Sequence, residues 1–226
     1  MTAEEKPLRA DAERNRRRLL EVAAAMFSER GLDVGVGEIA ERAGVGRGTL
    51  FRNFASKEDL IAAIVVERMN ELIALGRGLL DAEDPADALF AFIEELAGRQ
   101  QRVDRALFDA VADTFLANES IRAAYSAIIE TVGLLLERAQ STGAIRADVS
   151  AIDVVMLVKG ACQATTSFQM IDPEIGGRQL DLVRAALSAP AATRPLRGRT
   201  PSFEDLERAF PSSEPAAARR VRSAPG

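Results

Sequence analysis

An all-α fold is what this sequence predicts, on three observations. Strong helix formers, above all Ala, Leu, Arg and Glu, dominate a chain that is 47% hydrophobic but only 5% aromatic. Apolar residues recur at three- and four-residue spacings, and the period-two alternation of a half-buried strand is absent. Helix-capping residues (Ser56, Asp84, Ser150) stand where several of these runs begin. At 226 residues the chain can bury one or two sizeable cores.

The earliest runs are short. A basic segment opening with Arg14, Arg16, Arg17 and Arg18 leads into a helix ending near Arg30. Ile39 and Ala43, four apart, then share one face of a short helix that Gly44 stops, because glycine takes the left-handed conformation cheaply. Gly46, Arg47 and Gly48 lead into a second short helix, Thr49 to Phe54, with Leu50 and Phe54 on its inner side. Ser56 caps the next helix, with Asp59 three residues on. Two short helices joined at a glycine form a helix-turn-helix, whose second helix enters the DNA major groove.

The following runs are longer. The helix begun by Ser56 continues to Leu79, a length of about 35 Å at 1.5 Å per residue, so it belongs to both the head and the body. Asp84-Pro85 starts a helix ending near Gly98, and others are expected at about Val103–Leu116, from Asn118 or Ser120 to Gly143, Ser150–Gln169 and Gly177–Leu187. The Ser150 helix is apolar almost all round in its first half, which predicts burial on several sides. From Pro190 the composition breaks: six of the nine Pro lie at 190, 195, 201, 211, 215 and 225, marking a disordered tail with one short helix possible at Phe203–Phe210. The expected organisation is a disordered arm (1–9), a helix-turn-helix domain (10–55), a helical domain (56–189) and the tail (190–226).

Composition narrows the chemistry. There is no His and a single Cys, Cys162. One Cys permits no internal disulfide and suits a reducing cytoplasm. Without His there is no Ser-His or Cys-His nucleophile pair and no His-bound metal; carboxylate or Lys chemistry stays open. No metal-ligand or phosphate-loop motif is present, so neither cofactor nor catalytic residue is expected. The N-terminus lacks a signal-peptide core and no run reaches the ~20 apolar residues a bilayer requires, so a soluble cytoplasmic protein with no membrane partner is expected. The net charge of −5 divides unevenly: +2 over residues 1–57, −10 over 58–189 and +3 over 190–226. The basic excess falls where DNA would lie.

The series Ile39-Ala40, Ala43-Gly44-Val45, Gly48-Thr49-Leu50-Phe51, Phe54, Ser56-Lys57 and Leu60 closely resembles the N-terminal signature of the tetracycline-repressor (TetR) family. The preceding helix, with Leu19, Ala23, Met26-Phe27 and Arg30-Gly31, fits as well. Over about residues 10 to 65 the resemblance is specific; beyond, it rests on helix number and length and a turn from Arg138 to Asp148. Two departures touch individual contacts. Phe51 stands where such proteins usually carry Tyr, and Gly35-Val36-Gly37 stands where the second helix usually starts with Thr or Ser.

The resemblance implies DNA contacts from the turn, the recognition helix and the start of the next helix: Arg47, Gly48, Thr49, Phe51, Arg52, Asn53 and Lys57. Arg47 and Arg52 suit guanine O6/N7, Thr49 a thymine methyl or a phosphate, Asn53 adenine or a phosphate, and Lys57 a phosphate. Phe51 suits a sugar or thymine methyl, or plain packing. The resemblance also implies an effector cavity in the body, for which Phe90, Phe108, Phe115, Tyr125, Met156 and Phe168 are candidate walls or ordinary core. Lys159, Gln163 and Thr166 form a polar line on the Ser150 helix that needs partners, in a second subunit, a ligand, or Asp153 and nearby Glu residues. A homodimer through the last two long helices is implied, on a pseudo-palindromic double-stranded operator, with a small-molecule effector of unread identity. The expected function is a ligand-responsive regulator, most readily a repressor. Two other classes stay open: an enzymatic or metabolite-binding bundle with a vestigial head, and a DNA-coating protein that lacks sequence preference.

Overall fold

The computed structural model describes residues 5–101, 107, 118–165, 168, 171–172, 174–189 and 194–209. The chain divides into two compact units, Met1–Glu67 with Ala106–Ala112, and Arg68–Arg105 with Asp113–Gly226. Among the described residues every regular element is helical, apart from an isolated β-bridge between Ile145 and Ser188.

The first unit holds α1 (Glu5–Arg30), α2 (Val36–Arg42), α3 (Arg47–Asn53) and the first part of α4 (Lys57–Leu79). α1 starts inside the segment expected as an arm. Leu19, Ala23 and Phe27 of α1 meet a core completed by Ile39, Leu50, Phe54, Leu60 and Ile64, all nearly inaccessible to solvent. The turn after α2 is a Schellman motif: Gly44 takes φ +69°, Val45 N–H donates to the Ala40 carbonyl, and Gly44 N–H donates to Glu41. That left-handed glycine redirects the chain so that only four residues separate the end of α2 from the start of α3. α4 opens with the expected cap, Asp59 N–H donating to Ser56 Oγ at 3.0 Å. The start of α2 has no hydroxyl; Glu38 Oε1 instead accepts from the Gly35 N–H, and its Oε2 accepts from Arg30 at 2.7 Å.

The second unit contains the rest of α4, α5 (Pro85–Gln101), α6 (Glu119–Ser141), α7 (Ala151–Thr165) and α8 (Ile175–Leu187). α5 packs on α6 and α7, and α7 in turn packs on α8. Asp84 Oδ1 accepts from the N–H groups of Ala86 and Asp87, Asn118 caps α6 the same way, and Ser150 with Asp153 forms a reciprocal capping box on α7. α4 approaches α5 and α6 closely at Gly76, where an added Cβ would lie 2.4 Å from Thr131 Cγ2 and 2.6 Å from Phe92 Cε2. Of the helix expected at about Val103–Leu116 only Leu107 is among the described residues, where it is helical and buried. The described part of α7 ends at Thr165 and Phe168 lies in a turn, whereas the expected end, Gln169, is outside the described residues.

Part of the segment expected as a disordered tail is held in place. Arg146 forks onto Asp148 through 2.6 and 2.9 Å bonds; the same Asp148 carboxylate accepts from Leu196 N–H at 2.8 Å, and Arg146 also donates to the Arg194 carbonyl. Farther on, a Ser202–Asp205 capping box starts α9 (Phe203–Ala209). Composition could not reveal this because the anchor lies 48 residues upstream. The Arg146 hydrogen bond, aided by the Leu196 N–H, holds the Asp148 carboxyl well below the ordinary 3.8. The Arg146 bond is local and does not need the tail, so docking is linked only to the part of the lowering that the Leu196 N–H adds. Docking weakens where the paired carboxyl protonates, well below the ordinary value. Hydrogen exchange at the Leu196 amide, scaled to its intrinsic rate, should therefore stay slow through the ordinary carboxylate range and accelerate only below it, as the paired carboxyl protonates. Asp148→Asn should show fast exchange at every pH; protection that survives in this variant would disprove the anchor.

Candidate nucleic-acid interface

The α2–turn–α3 unit presents one side of α3 to solvent. Leu50 is fully buried and Phe54 nearly so, as their spacing predicts, which fixes the rotation of α3 and turns the remaining residues outward. Arg47, Gly48 and Arg52 are exposed, Thr49 and Asn53 are half-buried, and Phe51 leaves 48% of its surface accessible. For Phe51, then, solvent-facing placement prevails over packing. Lys57 stands at the first position of α4, its Nζ 5.8 Å from the centre of the Phe27 ring. The sequence-derived DNA candidates thus fall on one short segment, from the first residue of α3 to the first of α4.

Several of these groups are pre-arranged by bonds within the helix. Arg52 Nε donates to the Gly48 carbonyl at 3.2 Å and its Nη2 to Thr49 Oγ1 at 3.0 Å. Asn53 Nδ2 donates to the Thr49 carbonyl at 2.8 Å. Thr49 and Arg52 therefore act as a pair, and the guanidinium keeps other N–H groups for an acceptor. α1 adds charge that periodicity alone could not place: Arg16 lies over the Phe54 ring at 5.0 Å, and Arg18 Nη2 comes within 3.6 Å of a Cβ built on Gly44.

Two nearby acids, Glu29 and Glu38, are engaged in pairs. Arg42 forks onto Glu29 at 2.8 and 3.1 Å, and Arg30 holds Glu38. Hydrogen bonding to Arg42 and Arg30 respectively lowers the pKa of both carboxyls, which keeps the pairs charged. All four side chains are about half exposed, so the pairs orient α2 against α1 more than they stabilise it.

In the second unit the expected pocket walls do not gather. Phe90 is buried, with the Arg184 guanidinium 4.0 Å over its ring, and Tyr125 is half-buried, its phenol pKa raised by burial. Phe108 and Phe115 lie outside the described residues. Met156 and Phe168 are 57% and 55% exposed, so neither walls an interior cavity in the single chain. Met156 instead borders an open apolar groove of about 480 Å³ between α7 and α8, together with Leu157, Gly160, Ala161, Ala164 and Leu182. An all-round apolar helix reads as buried on several sides, and α7 does pack on α5, α6 and α8, but the strip carrying Met156, Leu157 and Gly160 stays exposed. Lys159 and Gln163 are exposed rather than buried, and Thr166 lies outside the described residues. Among the described residues no cluster of His, Cys, Asp and Glu can hold a metal, and no helix is long and apolar enough to cross a membrane.

The likeness to known proteins is specific. Residues 19–64 match the model for bacterial regulatory proteins of the tetR family, and residues 84–189 match the C-terminal domain of SbtR-like transcriptional regulators. The crystal structure of a TetR transcription regulatory protein from Mycobacterium vanbaalenii is 36% identical, with 80% of this chain and 99% of that one covered at a TM-score of 0.62. The chain belongs to the TetR family. A TetR transcriptional regulator from Streptomyces coelicolor is also similar, at 29% identity and a TM-score of 0.60, covering 76% of this chain and 98% of that one. An HTH-type transcriptional regulator of Staphylococcus aureus is 35% identical over 75 residues, 33% of this chain and 40% of its own length. TetR proteins are transcriptional regulators, not enzymes, and the helix-turn-helix is their DNA-binding part. As a class they bind DNA operators and form dimers with small-molecule effectors.

Proposed function

We propose that this TetR protein is a homodimeric repressor that holds a pseudo-palindromic operator when ligand-free and releases it when a small molecule binds the body. The observation that carries the DNA reading is the solvent-facing part of α3: exposed Arg47 and Arg52 and half-buried Thr49 around a buried Leu50, with Lys57 at the first position of α4. Arg47 and Arg52 read base edges, Thr49, Phe51 and Asn53 support them, and Lys57 anchors a phosphate at the start of α4. Residues 10–55 serve as the DNA-binding domain and 56–189 as the ligand and dimer domain, in the bacterial cytoplasm where the operator is. α4 is one unbroken helix whose residues belong to both units, and this supports a coupling between ligand and DNA of about 1–3 kcal/mol. Phe90 and Tyr125 serve as walls of the ligand site, which leaves the α7–α8 groove for the second subunit.

The DNA reading separates two kinds of residue. On a duplex selected from a random library and its single-base-pair variants, Arg52→Ala should flatten preference at one base pair per half-site, a loss of about 1–3 kcal/mol of discrimination. Lys57→Ala should weaken every duplex alike and reduce the salt slope by about one. Equal losses on all duplexes from both variants would refute the assignment.

A further inference from the structure

Gly37 is a first-turn residue of α2 whose glycine the backbone does not require. Its φ is not positive; among the described residues only Gly31, Gly44, Gly143 and Gly198 have that conformation. Within a helix glycine is the poorest residue after proline, so its presence calls for a reason in space. A Cβ built on Gly37 would lie 2.2 Å from Arg47 Nη2 and 2.7 Å from both Cζ and Nε, so its three nearest neighbours all belong to one guanidinium. Gly46 and Gly48, which flank Arg47, would meet nothing within 4 Å.

The seat holds Arg47 by contact alone. The first turn of a helix offers N–H donors, and a guanidinium is itself only a donor, so the two do not hydrogen-bond. Among the described residues Arg47 has neither hydrogen bond nor ion pair. Arg52, by contrast, has already committed two N–H groups to its own helix. Arg47 is therefore placed but uncommitted, with its donor fork available and less freedom to lose on docking.

We infer that Gly37 is a positioning residue for sequence recognition: the absence of a side chain there seats the Arg47 guanidinium where the first turns of α2 and α3 meet, aimed at a guanine edge. This rests on the reading that Arg47 contacts DNA. The blocking atoms are the far end of a flexible side chain, so a methyl group at position 37 would move Arg47 and leave the fold intact.

The test uses the full-length protein on the library-selected duplex and its single-base-pair variants, comparing wild type, Gly37→Ala, Arg47→Ala and the double variant, with Gly37→Ser as a second small side chain. Gly37→Ala should keep or raise Tm and flatten preference at the same base pair as Arg47→Ala, by roughly tenfold. In the Arg47→Ala background it should add less than about twofold, because the two residues act through one group. Losses that multiply in the double variant, or a different base pair affected, would show that Gly37 admits the DNA itself and would overturn the inference. So would unchanged preference in Gly37→Ala and Gly37→Ser while Arg47→Ala flattens it, or a lowered Tm in both position-37 variants. If Arg47→Ala changes nothing, the underlying DNA contact fails, and the positioning role fails with it.

Discussion

Leu182→Glu should convert the proposed dimer to a monomer and lower operator affinity by at least a hundredfold while leaving each chain folded. Leu182 is 56% exposed in the single chain, so a carboxylate there meets water and costs the monomer little. It borders the α7–α8 groove, whose floor carries Gly160, Ala161 and Ala164, residues small enough to let another helix approach. With Met156 57% and Leu157 40% exposed beside it, this is a contiguous apolar face of the kind that marks an association surface. A twofold contact would bring the patch against its own copy, placing two new carboxylates in a dry interface, and a buried unpaired charge is strongly unfavourable. Without the dimer each half-site binds alone, forfeiting an avidity of about 10²–10⁴. Sedimentation and operator titration read both effects. A dimer that persists in the variant would place the interface elsewhere.

Gly76→Ala and Gly78→Ala should shift stability in opposite directions, although both are Gly→Ala changes in α4. At Gly78 an added Cβ meets nothing within 4 Å, so alanine's better helix propensity should raise stability, by at most about 0.5–1 kcal/mol this near the helix end. At Gly76 the same methyl would press on Thr131 Cγ2 and the Phe92 ring, which are 2% and 0% exposed. Neither can swing into solvent. Overpacking of that kind costs about 1–3 kcal/mol, and larger side chains such as Val should cost more. Thermal or urea unfolding of the two variants checks the contrast. Equal stabilisation by both would mean that α4 does not approach α5 and α6 as closely as described.

The helical class, the short helices of the head and most helix starts were legible in the residues. Each depends on neighbours a few positions apart: Ile39 with Ala43 on one face, Gly44 at the stop, Ser56 with Asp59, Asp84 before Pro85, and Ser150 at the head of α7. Hydrogen bonds and periodicity of that range leave a direct mark in local order. Rotation of α3 was legible too, because Leu50 and Phe54 define an inner side.

What needed the third dimension was which surfaces are covered and what each long side chain rests on. α7 reads as apolar all round, and nothing local says that Met156 faces outward along a groove or that Lys159 and Gln163 are exposed. That depends on which side α5 and α6 occupy. The Leu196–Asp148 bond and the Arg47–Gly37 contact join residues 48 and 10 apart, and an arginine's reach gives no sign in sequence of where its guanidinium will lie. Periodicity and caps are short-range properties of the chain, whereas burial and side-chain placement are set by whatever the folded backbone brings alongside.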